Sequence, residues 1–121
     1  MLRIRPEQME VFARAQRARF EQEDAFAHVA KHWPAVLEAA GEAGVRALIA
    51  RVSSRADELA IDAEYDVLRL LNLHCAYGPE VEAEQPWIAR LLAETHRPGR
   101  DRLDEVMARA TSEPSSSAAE I

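Results

Sequence analysis

Cysteine occurs once in this sequence, glycine four times, and aromatic residues make up only 6% of it. A single cysteine, Cys75, excludes an intramolecular disulfide and any Cys-rich zinc pattern, which suits a reducing compartment. The scarcity of glycine, beside abundant Ala, Leu, Arg and Glu, disfavours a turn-rich β-fold and favours helix. No stretch alternates apolar and polar residues with period two, and none approaches the run of about 18 apolar residues that a membrane span needs. The start, MLRIRPEQMEVF, holds two arginines but no apolar run of signal-peptide length, so the sequence predicts a soluble, cytoplasmic protein. No repeat of solenoid length is visible. Neither G-x-S-x-G, a P-loop nor G-x-G-x-x-G occurs, which removes the usual footholds for hydrolase and nucleotide chemistry.

What is present is acid and helical periodicity. There are 21 Asp and Glu against 15 Lys and Arg, a formal net charge of −6, and such a balance repels phosphate backbones. With 121 residues, 48% of them hydrophobic, the chain is long enough for one domain with a real core. Pro6 suits the first turn of a helix, and Met9, Phe12, Ala13, Gln16 and Phe20 follow at helical spacing. Phe26, Val29, Ala30 and Trp33 resume the pattern after the polar EQED, residues 21–24. With neither Gly nor Pro inside it, the stretch predicts one long helix ending at Trp33, where Pro34 forbids continuation.

A short helical turn through Val36 and Leu37 is expected to stop at Gly41. Val45, Leu48, Ile49, Val52, Ala56 and Leu59 then set a third helix with Arg46, Arg51 and Arg55 on its other face. Asp62 is the expected N-cap of a fourth helix, whose VLRLLNLHCAY is apolar almost all round and predicts the central element. Gly78 and Pro79 end it, and an acidic loop, PEVEAEQ, follows. Pro86 opens a fifth helix with Trp87, Ile88, Leu91 and Leu92 as its buried stripe, and RPGR precedes a last short helix marked by Leu103, Val106 and Met107. Trp33 and Trp87 are both expected in the core.

Few residues invite chemistry. Asp24, His28 and His32 stand one turn apart and could share one helical face, the spacing at which imidazoles chelate zinc. Position 29, where a zinc-protease motif has its glutamate, is Val, and the chain contains no Glu-x-x-His of the di-iron kind. The segment therefore reads first as the packed end of a helix. His74 and Cys75 are neighbours, about 100° apart on a helix, and Cys75 lies in the most apolar segment, where cysteine behaves as a small hydrophobe.

Charge is unevenly distributed. Residues 57–85 hold Asp57, Glu58, Asp62, Glu64, Asp66, Glu80, Glu82 and Glu84 against Arg69 alone, a net of −7. Residues 1–20 carry five arginines against Glu7 and Glu10, a net of +3. Such separation can steer a basic partner to the acidic end.

Several stretches together resemble a family of small bacterial helical proteins met in gene neighbourhoods of type VI secretion spikes and their toxic cargo. Ile4, Arg5, Gln8, Met9 and Phe12 are similar to its IR-x-x-QM-x-x-F start. His28, Val29, Trp33 and Pro34 match a His-aliphatic-x-x-x-aromatic-Pro segment. Asp66 and Val67 match the entry to its central helix, and Gly78, Pro86 and Trp87 match a glycine followed, after an acidic loop, by Pro-Trp. The chain departs from the family where F-D-x-D-P becomes VEAEQP.

The sequence thus predicts an all-α fold, a single-domain irregular or orthogonal bundle of about five helices over residues 1–110 with a disordered tail over 111–121. The resemblance, with the charge polarity and the lack of a catalytic set, implies a non-enzymatic adaptor or chaperone-like protein that binds a secretion effector or spike component; no cofactor is expected, and the acidic balance and lack of long apolar runs predict no nucleic-acid or membrane partner. Its expected contacts are Met9 and Phe12 on the first helix and Glu80, Glu82 and Glu84 in the acidic segment. The alternatives are a metal-binding helical protein using Asp24, His28 and His32, joined by His74, and an immunity protein that neutralises a cognate toxin.

Overall fold

The computed structural model describes residues 14–112; Met9, Phe12 and residues 113–121 of the expected tail lie outside the described residues. Among the described residues there are six helices and no strand, so the fold is all-α. The helices are α1 (residues 14–32), α2 (Pro34–Glu58), α3 (Glu64–Tyr77), α4 (Val81–Glu84), α5 (Pro86–Leu92) and α6 (Gly99–Ser112). The chain divides into two compact units, Met1–Arg51 and Val52–Ile121. No helix among the described residues is long and apolar enough to cross a membrane.

In the first unit, α1 is continuous as expected but not uniform. Phe20 and Val29 are nine residues apart, which at about 100° per residue sets them on opposite sides of a regular α-helix. Both are nevertheless buried, at 2% and 0% exposure. The conflict is resolved by a π-helical segment, Phe20–Ala25, at the place where the apolar pattern breaks. A π-bulge takes up one extra residue, removing about 100° of rotation and bringing the two side chains to within about 80° of each other. At the end of the segment the Phe26 N–H, which in an α-helix would bond Gln22, goes to the Glu23 carbonyl instead. Arg46 donates to the Gln22 carbonyl at 3.2 Å, while its Nε pairs with Glu42 at 3.1 Å and its guanidinium lies 4.3 Å from the centre of the Phe26 ring.

Trp33 leaves the helical region, at φ −132° and ψ 54°, because Pro34 follows it. Its carbonyl then accepts the Val36 and Leu37 N–H groups, starting α2 with proline in its first position. Gly41 was expected to end that helix. It does: Gly41 adopts the non-helical φ 76° and ψ 169°, and a second helix begins directly beyond it, so α2 is two helices joined at a kink. Gly44 is needed for close approach across the kink, since a Cβ there would stand 2.8 Å from that of Ala40. Val45, Leu48 and Ile49 are this unit's buried residues from α2.

The second unit begins within the last turns of α2, where Val52, Ser53 and Ala56 are buried. That helix ends without glycine. Ala60 takes a positive φ of 56°, its N–H bonds the Asp57 carbonyl, and the N–H of buried Ile61 reaches back to the Ala56 carbonyl at 2.8 Å, the Schellman pattern. The expected cap at Asp62 is not made. The N-cap of α3 is Ala63, with extended backbone and no side-chain bond, so Asp62 sits one residue too early and stays exposed.

Helix α3 packs against α4 and α6, and α5 packs against α4 and α6. Val67, Leu70, Leu71 and Leu73 bury the middle of α3, but the expectation of an element surrounded by others fails at the end of VLRLLNLHCAY, where Ala76 and Tyr77 are exposed, and Tyr65 before it is exposed as well. Ile88, Leu91 and Leu92 form the buried stripe of α5, whereas Trp87 is only half-buried and Arg109 lies 4.4 Å over its ring. Trp33 is likewise half-buried. The last helix is longer than expected and enters the predicted tail by running to Ser112.

One buried cation ties two helix ends to the turn before α6. Arg102 is 1% exposed and donates to the carbonyls of Leu59 at 2.8 Å, Leu92 at 2.6 Å and Arg97 at 2.9 Å. Leu59 and Leu92 close α2 and α5, where helix-end carbonyls lack intrahelical partners and carry partial negative charge. Desolvation pulls the Arg102 pKa down, helped by Arg97 and opposed by Glu94.

Candidate functional site

The acidic stretch expected as a loop is a helical turn. Gly78, at φ 99°, ends α3, and the N–H of Val81 bonds back to the Gly78 carbonyl at 3.2 Å. Val81 is the only apolar side chain of α4 larger than alanine, and it is fully buried. That burial contributes roughly 1.5 kcal/mol towards holding α4 against α3 and α5.

The three glutamates of this turn divide by direction. Glu82 turns inward and takes Arg55 from the end of α2 in a forked pair, with Nη2 at 2.7 Å and Nε at 3.1 and 3.2 Å. Arg55 also holds Glu58, one turn further along α2, at 3.3 Å. His74 of α3 brings Nε2 to 3.8 Å from Glu82, too far for a hydrogen bond, and that nitrogen is buried without a hydrogen-bond partner. Burial works to raise the Glu82 carboxyl, but His74 and Arg55 outweigh it and hold it down at about 2. Glu82 is therefore a fixed internal anion rather than an exposed contact.

Glu80 and Glu84 are exposed and have no side-chain partner among the described residues. Tyr77, one turn before α4 on the last turn of α3, is 50% exposed. The outward side of this turn thus offers two uncommitted carboxylates and a phenol ring, held in place by an inward valine and an inward ion pair. Such a surface suits a cationic partner, since carboxylates pair with Lys or Arg and a tyrosine face accepts a guanidinium.

The other candidates come together less well. Among the described residues no three His, Cys, Asp or Glu side chains are placed to hold a metal ion. This corrects the Asp24, His28 and His32 alternative. His28 and His32 pack ring to ring, with centroids 4.7 Å apart and planes tilted by 47°, while Asp24 is exposed within the π segment and does not complete a set. His74 stands beside Glu82 instead of joining them. Burial pushes the Cys75 thiol up to about 11, so little thiolate forms near neutrality and the residue is a poor nucleophile.

Arg55 and Tyr77 are the site residues that sequence reasoning did not single out. Arg55 is one of three arginines along α2, and its partner lies 27 positions away, so no local pattern marks the pair. The exposure of Tyr77 did have a signal, its position immediately before Gly78, where the helix ends. Comparison with protein-family models, with curated proteins and with solved structures finds no match to this chain.

Proposed function

We propose that this chain is a non-enzymatic, protein-binding accessory protein, an adaptor or chaperone-like factor for a type VI secretion effector or spike component. The observation that carries the binding surface is the division of the acidic turn: Glu82 is committed inward to Arg55, whereas Glu80 and Glu84 face out beside exposed Tyr77. The partner presents Lys or Arg to this surface. The secretion context rests on the resemblance carried by HVAKHWP and AYGPEVEAEQPWIARLL.

The test is capture of the effector and spike proteins encoded beside this chain, using the wild type and Glu80→Lys/Glu84→Lys. The wild type retains one of them and the double variant loses it, with no change in thermal midpoint because both residues are exposed. Retention of none by the wild type, or equal retention by both proteins, defeats the reading.

A further inference from the structure

The π segment and its guanidinium suggest a moving part. In the π register Phe20 faces inward with Val29. If the same residues adopt a regular α-helix, the part of α1 before Phe20 turns by about 100°, and Ala18 and Gln22 come into phase with Val29 in place of Phe20. Both residues are exposed in the present register. The alternative is chemically possible, because alanine and the aliphatic stem of glutamine can occupy a helix face that also holds Ala25. The turn also reorients a basic face, since Arg14 and Arg19 are exposed on the segment that rotates.

Two features hold the observed register. One is the burial of Phe20. The other is Arg46: it donates to the Gln22 carbonyl in the middle of the segment, displaced from ordinary pairing by the bulge, and covers the ring of Phe26 directly after it. In a regular α-helix the Gln22 carbonyl would take the Phe26 N–H, and the contact with Arg46 would lose its purpose. A π segment is rare and its hydrogen bonding is poorer than that of an α-helix, so a small bias decides between registers.

We propose that Phe20–Ala25 is a rotary joint with two registers, latched in the π register by Arg46, which sets the face that the basic helix segment before Phe20 presents.

The test uses the full chain with Cys75→Ser and spin labels on Arg19→Cys and Ala43→Cys, both exposed positions of the first unit. Pulsed dipolar spectroscopy reads the distance between them. The protein with Arg46 gives one distance. Arg46→Ala adds a second, and in Arg46→Ala/Phe20→Ala the second becomes the major population. Deleting Gln22, which removes the extra residue while leaving Phe20 within about 80° of Val29 as in the π register, returns a single distance whatever stands at position 46. A double variant that keeps only the original distance overturns the proposal. So does one that loses helicity by far-UV circular dichroism without showing a second distance, because Arg46 would then be a support and not a latch.

Discussion

Glu82 and Glu80 are two positions apart on the same short turn, yet only Glu82 has its charge bound up in the fold. The folded pKa of Glu82, about 2, lies below its ordinary 4.5, so its ionised form stabilises the fold. That contribution is complete above about pH 5 and is lost as the pH falls towards 2. With allowance for the partial exposure of Arg55, it amounts to something on the order of 2 kcal/mol. Glu82→Gln should therefore lower stability at neutral pH by that order and flatten the acid limb of a denaturation series between pH 5 and 2. An acid limb as steep as the wild type's would show that the pair contributes nothing. Arg102 is the second residue on which much depends. Replacing it with methionine leaves three carbonyls, two of them in buried bonds, without this donor and should cost about 3 kcal/mol in urea unfolding, against well under 1 kcal/mol for the exposed Arg100.

At the scale of elements, most of the helices could be read from the sequence because each rests on a local signal. Pro34 ends α1, Pro86 opens α5, Gly78 closes α3, and the 3.6-residue period of Val45 to Leu59 marks the body of α2. What could not be read depends on partners distant in the chain. The π segment was visible only as a phase error between Phe20 and Val29, and a polar EQED explains that error equally well as a solvent face or a bend. The end of α2 at Ala60 had no glycine to announce it, and the inward turn of Glu82 needed Arg55, 27 positions away. Deleting Gln22 converts the π segment to α-helix with Phe20 still inward, and should change stability by less than about 1 kcal/mol. Inserting one alanine after Gln22 turns Phe20 about 100° further from its place, and should cost about 2 kcal/mol through its lost burial. Equal losses from the two changes, followed by thermal melting, would refute the assignment.

On the scale of the whole molecule, the excess of acid in residues 57–85 is partly internal. Glu58, Asp66 and Glu82 are paired with Arg55 or Arg69, and what remains for a partner is concentrated at Asp62, Glu64, Glu80 and Glu84. The net charge of −6 therefore overstates the field that a partner meets at any one place, and the local arrangement matters more than the total. A surface of this kind speeds association and confers salt dependence before it adds affinity. The most direct measurement is the affinity of the purified chain for the neighbouring effector or spike protein it captures, titrated at about 50 and 300 mM salt with Glu80 and Glu84 intact or both changed to Gln. Tight binding that weakens at least tenfold with salt, and that loses both strength and salt dependence in the double variant, is the predicted result. Binding that is indifferent to salt and to both substitutions would contradict the account.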